Sequence, residues 1–289
     1  MLTMVVPRLR LVVIFLVSLL VNTLVVRPLP AVELMFDYQS HFSDEQKKQL
    51  KTWLEQGKQA VENSIAPIPQ QQLKVTLVQQ KTRTEVVPWG QIVRGNPDSV
   101  KLHVSDRASL YALTNDWTLY HELSHLYLPY LDYPSFWLNE GFATYMQYIV
   151  MYQAGLLSRK RFIARVKAGF ERGRRKTLTK PGKLNRVSAD MWRLRAHKRV
   201  YWTGAAYFLE ADLALQQRGS RLANVIAAYS DCCRRDNSRG IYLARQLDRL
   251  SESKIFSQLF NQYRERIDFP TVTNDQLEKI ADYYQAHNG

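Results

Sequence analysis

Two short segments hold residue types that could do chemistry together. His121-Glu122-Leu123-Ser124-His125 sets two imidazoles four residues apart, and Trp137-Leu138-Asn139-Glu140-Gly141-Phe142-Ala143 follows with a carboxylate. Positions four apart on a helix share a face, so His121 and His125 can present two ring nitrogens to one metal ion. Glu122 is too close in sequence to complete the same ligand face, but it is well placed to take a proton from a water held by the metal, the reading of H-E-x-x-H on a helix. Glu140, from a second helix, offers the third ligand. A His, His, Glu set leaves one coordination position open, the arrangement of a catalytic site for one zinc ion and not of a closed structural site.

A bare H-E-x-x-H also arises in ordinary helices with solvated histidines. The surroundings argue against that here. Trp117-Thr118-Leu119-Tyr120 before the motif and Leu126-Tyr127-Leu128 after it are apolar enough for a buried helix, and Pro129 ends it. Two histidines and a glutamate are costly to bury without partners, and a metal ion satisfies all three.

At these residues the chain resembles the gluzincin metallopeptidases. Trp137 to Tyr145 is similar to the third-ligand helix of the alanyl and glycyl aminopeptidase families. Tyr201-Trp202-Thr203-Gly204-Ala205-Ala206-Tyr207-Phe208-Leu209 resembles the segment in which those families carry a transition-state tyrosine, which makes Tyr201 the candidate oxyanion stabiliser. Gly204 would let its helix approach a neighbour closely. The continuation Glu210 to Arg218 leans towards the glycyl aminopeptidase side, and the resemblance runs from about Trp117 to about Ser220. It implies a thermolysin-like α+β catalytic domain: a mixed amino-terminal lobe ending in the zinc helix, then a helical lobe, with the zinc cleft between them. It also implies peptide substrates, with Glu122 and Tyr201 as catalytic residues and His121, His125 and Glu140 on the metal.

Two departures bear on specificity. Only fourteen residues, Leu126 to Asn139, separate His125 from Glu140, a connection shorter than the aminopeptidase families' by roughly one helical turn. The chain also has no Gly-x-Met-Glu-Asn segment, whose glutamate holds the substrate's free amino terminus in the alanyl aminopeptidase relatives. Aminopeptidase action therefore rests on the glycyl aminopeptidase resemblance. Two alternatives stand beside it: a zinc amidase or endopeptidase on cell-wall or other peptides, and an inactive exported binding protein. A serine hydrolase is not supported, because no G-x-S-x-G occurs, and no phosphate-binding glycine loop is present.

The elements that must position these residues can be read outward from them. Arg8 and Arg10 precede an apolar run from Leu11 to Val26, read as a signal peptide cleaved near Ala31 or as a membrane anchor. Either way the catalytic part, residues 32–289, is exported to the periplasm or beyond the cell, since positive charge precedes the apolar run. Its lobes are placed at 32–130 and 131–289. Ser43 to Ser64 is expected as an amphipathic helix capped by Ser43, and Lys74 to Val78 and Val100 to Val104 as strands. Pro88-Trp89-Gly90 and Gly95-Asn96-Pro97-Asp98 carry turn chemistry between those strands. The resemblance makes Val100 to Val104 the candidate strand for binding extended peptide, with His103 a strand residue and not a ligand. From Phe136 onward the pattern is helical, with Gly155 and Gly219 as carboxyl caps after Trp137–Ala154 and Val200–Arg218. Further helices are expected at Leu222–Cys233, Ile241–Leu250, Lys254–Ile267 and Asn274–His287.

Charge and cysteine usage add context. The net charge is +14, and residues Arg159 to Arg199 hold sixteen Lys or Arg against Glu171 and Asp190, which is the whole excess. Such a cluster suits an anionic partner, a membrane or cell-wall surface, or it is a solvated helix and loop. The export signal disfavours nucleic acid. Cys232 and Cys233 are adjacent, and α-carbons about 3.8 Å apart are closer than disulfide geometry prefers, so no disulfide framework is expected.

Overall fold

Alternating apolar residues build the sheet. The computed structural model describes residues 32–287, so the apolar run at 11–26 and the cleavage position lie outside the described residues. Strand β1 spans Glu33–Tyr38, β2 Gln72–Gln80, β3 Trp89–Val93 and β4 Ser99–Ser105, in the order β1-β2-β4-β3. Leu73, Val75 and Leu77 of β2 and Val100, Leu102 and Val104 of β4 are buried, and the two strands pair in parallel with Val75 opposite Val100. β1 joins β2 in parallel. β3 joins β4 antiparallel, with Trp89 opposite His103. The crossover from β1 to β2 is helix α1, Asp44–Ser64, started by a capping box in which Ser43 and Gln46 satisfy each other's backbone N–H groups.

Two expectations change here. Pro88-Trp89-Gly90 does not form a turn, because Trp89 and Gly90 open β3, and only 94–98 turn the chain between β3 and β4. Pro88 stands just ahead of the strand, where its missing N–H leaves no ladder bond unmade. The second change follows from it. Val100 to Val104 lies between β2 and β3 with both edges paired, so it has no free backbone groups for a peptide; the free edge on this side is β3.

After β4 every regular element is helical. α2 spans Leu110–Asn115 and α3 Thr118–Ser124, followed by a single 3₁₀ turn at His125–Tyr127. α4 is Phe136–Gln153, buried all round from Phe136 to Tyr152, as expected of a helix apolar on every face. α5 is Arg159–Thr179, α6 Leu184–Ala189, α7 Met191–Leu194 and α8 His197–Gln216. α9 (Leu222–Cys232), α10 (Gly240–Leu250), α11 (Ile255–Arg264) and α12 (Asn274–Ala286) complete the chain. Gly155 and Gly219 adopt φ of 72° and 73° just past α4 and α8, the left-handed conformation expected of carboxyl caps.

α4 and α8 lie against each other through two glycines. A Cβ on Gly204 would fall 2.0 Å from the Trp137 carbonyl oxygen, and one on Gly141 2.3 Å from the Gly204 carbonyl carbon, so only hydrogen fits at either position. The close approach matters because α4 carries Glu140 and α8 carries Tyr201.

The basic segment is largely helical, and the cysteines differ from expectation. Most of Arg159 to Arg199 is ordered helix, and part of its charge is internal. Arg199 is 1% exposed and donates to the Lys180, Gly182 and Ile267 carbonyls. Arg159 pairs with Glu278 and Asp282. Cys232 and Cys233 form a disulfide at a Cα–Cα distance of 3.7 Å. Cys233 leaves α9 with φ −137°, and this departure from helical geometry lets its sulfur meet that of its neighbour. The bridge joins adjacent residues and staples no loop.

Candidate active site

The zinc-motif helix is short because its ends are fixed early. The Asp116 carboxylate accepts the Thr118 N–H and caps the start of α3. Pro129 cannot continue the chain as helix, and the Arg94 guanidinium, reaching from the end of β3, donates to the His125 and Leu128 carbonyls at 3.1 Å. The connection onward is equally pinned: Asn139 accepts the Leu131 N–H and donates to the Pro129 carbonyl. This bracing holds the fourteen-residue link tight enough to bring Glu140 back over the two histidines.

The Nε2 atoms of His121 and His125 lie 3.2 Å apart, and Glu140 Oε2 lies 3.3 Å from the first and 3.7 Å from the second. All three side chains are buried. Tetrahedral ligands at zinc–nitrogen distances of about 2.0–2.1 Å stand roughly 3.3 Å apart, so the three atoms already describe one face of such a site. Glu140 Oε2 has no hydrogen-bond partner among the described residues, and a buried carboxylate oxygen left in that state is costly unless a cation takes it. The residues present fit a zinc ion.

Electrostatics agree with the geometry. Burial pushes the His125 imidazole down to about 3, keeping it neutral as a metal ligand must be. Burial also disfavours charge on His121, but the neighbouring Glu140 carboxylate outweighs it and raises the pKa, so a cation competes with a proton for that nitrogen. Burial would raise Glu140, yet the adjacent His121, which its own raised pKa keeps charged, holds it below its ordinary value. Glu122, one residue from a ligand, is raised to about 7, chiefly by burial. Its side chain lies over Gly90, where a Cβ would come within 2.8 Å of Glu122 Cγ. Gly90 therefore admits Glu122 beside the sheet edge.

Tyr201 projects into the same pocket. Its ring stacks on His121 with centroids 6.0 Å apart, and it lines the pocket together with Glu140. Burial and then the nearby Glu140 raise the phenol well above its ordinary pKa, so it keeps its proton and can donate it in a hydrogen bond. Tyr207 faces the core, its hydroxyl donating to the Phe256 carbonyl at 2.9 Å. His103, in β4, packs edge-on against Trp89 and is not part of the metal cluster.

Sequence reasoning missed three contributors. Gln147 Oε1 lies 2.8 Å from His121 Nδ1, where it fixes the tautomer that leaves the Nε2 lone pair free. Its signal was its place two helical turns after Glu140, on the same face. Arg94's role had no local signal, because the two carbonyls it braces lie more than thirty residues away in sequence. His197 lines the pocket one turn before Tyr201, with an unpartnered buried Nε2 among the described residues. The buried Thr144 hydroxyl, on the helix that carries Glu140, has no hydrogen-bond partner among the described residues. The pocket, about 500 Å³, is walled by the β3 edge, α3, the start of α4 and the start of α8, with Trp117, Tyr130 and Trp192 at its rim.

Comparison with known proteins gives a family match for residues 129–213, to the M61 glycyl aminopeptidase family. That span holds Glu140, Gln147 and Tyr201 and begins just after the H-E-x-x-H segment. Among solved structures, the M1 zinc metallopeptidase of Deinococcus radiodurans superposes with a TM-score of 0.55 at 15% identity, over 83% of this chain and 49% of that one. A variant of it bound to a Tyr-Ser-Ala substrate gives 0.53 at 15% identity, over 83% and 50%. An aminopeptidase N family protein of Idiomarina loihiensis gives 0.50 at 15% identity, over 85% and 46%. The chain thus spans about half the length of the structures it matches, and the likeness to them is one of fold. No curated protein matches the chain in sequence. The family match and the shared fold together bear out the resemblance to the gluzincin zinc metallopeptidases that the motifs carry.

Proposed function

We propose that this chain is an exported zinc-dependent metallopeptidase that hydrolyses peptide bonds as an aminopeptidase. The observation that carries the reading is the convergence of His121 Nε2, His125 Nε2 and the unpartnered Glu140 Oε2 in one buried cluster, with Glu122 and Tyr201 in the same pocket. The glycyl aminopeptidase match over residues 129–213 supports the exopeptidase assignment. In this reading residues 32–130 and 131–289 are the two lobes of a thermolysin-like domain, with the zinc cleft between them. Residues 1–31 serve as signal or anchor and place the enzyme in the periplasm or outside the cell. Among the described residues no helix is long and apolar enough to cross a membrane.

His121, His125 and Glu140 would hold the ion. Bound zinc polarises a scissile carbonyl and makes water more acidic. Glu122 takes the proton of the attacking water and returns it to the leaving amine, a role suited to a carboxylate that burial has brought to about 7. Tyr201 donates its O–H to the oxyanion that develops on the carbonyl carbon's oxygen. Gln147 keeps the His121 ring in register, and the free backbone of β3 is the edge against which an extended peptide would lie.

One observation favours a second reading, an endopeptidase or amidase on cell-wall or other peptides. The carboxylates among the residues lining the pocket are Glu122 and Glu140, both already assigned, so neither is left to hold a substrate's free α-ammonium. Digestion of a peptide library by the zinc-loaded protein separates the two. Release of single amino-terminal residues supports the aminopeptidase, internal cuts support the endopeptidase, and intact peptides refute both.

A further inference from the structure

A second cavity, about 660 Å³, adjoins the zinc pocket and shares Arg94 and Tyr130 with it. Its floor is an unusual charge arrangement. Asp98, 4% exposed, receives both Arg94 Nη1 at 3.2 Å and Arg234 Nη1 at 2.7 Å on one carboxylate oxygen. Its other oxygen is occupied by the Gly95 N–H. Two guanidiniums thus share a single carboxylate, and Arg234, 5% exposed, keeps an Nη2 with no hydrogen-bond partner among the described residues. A buried cation with an open donor is costly unless an anion completes it. The walls add more positive charge: Arg235 and Arg239 line the cavity from the segment between α9 and α10, against one further acid, Asp236. Four arginines and two aspartates leave the cavity net cationic. Asp236 already accepts from the Tyr242 hydroxyl, and the free end of Arg235 is steered by the Asn96 side chain.

Guanidiniums grouped in this way match carboxylates, which they can grip through two parallel N–H bonds. The shared Arg94 connects the cavity to the chemistry. It bonds to the carbonyl of the metal-site histidine His125, and its charge is felt by Glu122. A peptide held at the β3 edge and over the zinc ligands would have to pass Tyr130 to place a further residue in this cavity.

We propose that the arginine cavity is a substrate subsite that takes a carboxylate: the carboxyl terminus of a short peptide or an acidic side chain near the cleaved bond. The proposal rests on the peptidase reading for its substrate, but not for its test. Calorimetric titration of the Glu122→Gln protein uses a neutral tripeptide as free acid, its carboxyl-terminal amide, and amidated versions with glutamate or glutamine at the last position. The subsite requires at least about tenfold tighter binding, equivalent to about 1.4 kcal/mol, for a carboxylate-bearing peptide than for its neutral twin. Loss of the preference on amidation identifies the terminal carboxylate as the ligand, and loss on changing glutamate to glutamine identifies the side chain. Arg235→Gln combined with Arg239→Gln should erase most of the preference. Both residues are exposed, so folding is not at stake, and the neutral peptides should bind as before. Equal binding of acid and neutral twins overturns the subsite, as does an equal loss for both in the arginine variant. A carboxylate preference in a wild-type protein that cuts no peptide would keep the subsite and refute the peptidase reading.

Discussion

Replacing Gly204 with alanine tests whether the contact between α4 and α8 sets the catalytic geometry. The added Cβ would lie 2.0 Å from the Trp137 carbonyl oxygen and 2.7 Å from Gly141 Cα, whereas ordinary contact begins at 3.4 Å. The helices must therefore separate by about 1.4 Å at this point. Both opposing atoms are backbone, so no rotamer change relieves the clash. Overpacking of this kind costs about 1–3 kcal/mol or more, which for a domain of this size lowers the melting temperature by roughly 2–4 °C per kcal/mol. The functional effect should be larger in proportion. Gly204 lies one turn from Tyr201 and its partner Gly141 follows Glu140, so separation moves the phenol relative to the carboxylate with which it shares the pocket. A misplacement of about 1 Å at reacting groups costs on the order of 10²-fold in rate. Thermal melts and steady-state kinetics should show both effects together. Leu54→Ala in α1 is the comparison, since truncating that buried side chain costs about 2–5 kcal/mol but leaves the α4–α8 contact alone. It should lower stability with near-normal turnover at a temperature where it stays folded. A Gly204→Ala protein that melts and turns over like the wild type would refute the reasoning, and equal turnover losses in the two variants would refute its link to the site.

Other expectations follow from the same site. Glu140→Ala should greatly weaken zinc binding while Glu122→Gln leaves it largely intact, checked by elemental analysis; equal loss in both would overturn the division into ligand and base. Tyr201→Phe should lower turnover by about 10²-fold or more with little change in zinc content, whereas Tyr207→Phe, which loses a core hydrogen bond to Phe256, should lower stability by about 1–3 kcal/mol and affect turnover far less. Gln147→Leu should weaken zinc affinity by roughly 10–100-fold in a chelator competition, because His121 loses the group that fixes its tautomer. Replacing Arg172, Arg174, Arg175 and Lys176 with glutamine should weaken salt-sensitive binding to anionic liposomes; unchanged binding, or none at low salt, leaves α5 a solvated face.

What the sequence disclosed and what it hid divide along a physical line. His121, Glu122, His125 and Glu140 were legible because helical periodicity converts spacing into geometry, and the two helices need only a short link to meet. Gly155 and Gly219 were legible as helix ends because a left-handed residue is a local demand. Trp89-Gly90 misled for the opposite reason. Proline and glycine signal a turn locally, but here Pro88 precedes the strand and Gly90 is small because Glu122 packs over it, a requirement set by α3 almost thirty residues later. The resemblance put the peptide strand at Val100 to Val104, the strand before the zinc helix, but the unrecognised β3 pairs with it and takes the edge position instead. Arg94 and Arg234 were hidden more deeply still. Each reads as one more surface cation in a basic chain, and only the fold brings Arg234 to Asp98, 136 positions away, where Arg94 already sits. A net charge of +14 drew attention to the exposed run on α5, where abundance is visible in sequence. Cations that solvent covers need no partner, however, and a buried pair of guanidiniums around one acid does. The positions where charge is most constrained are therefore the ones that composition is least able to reveal.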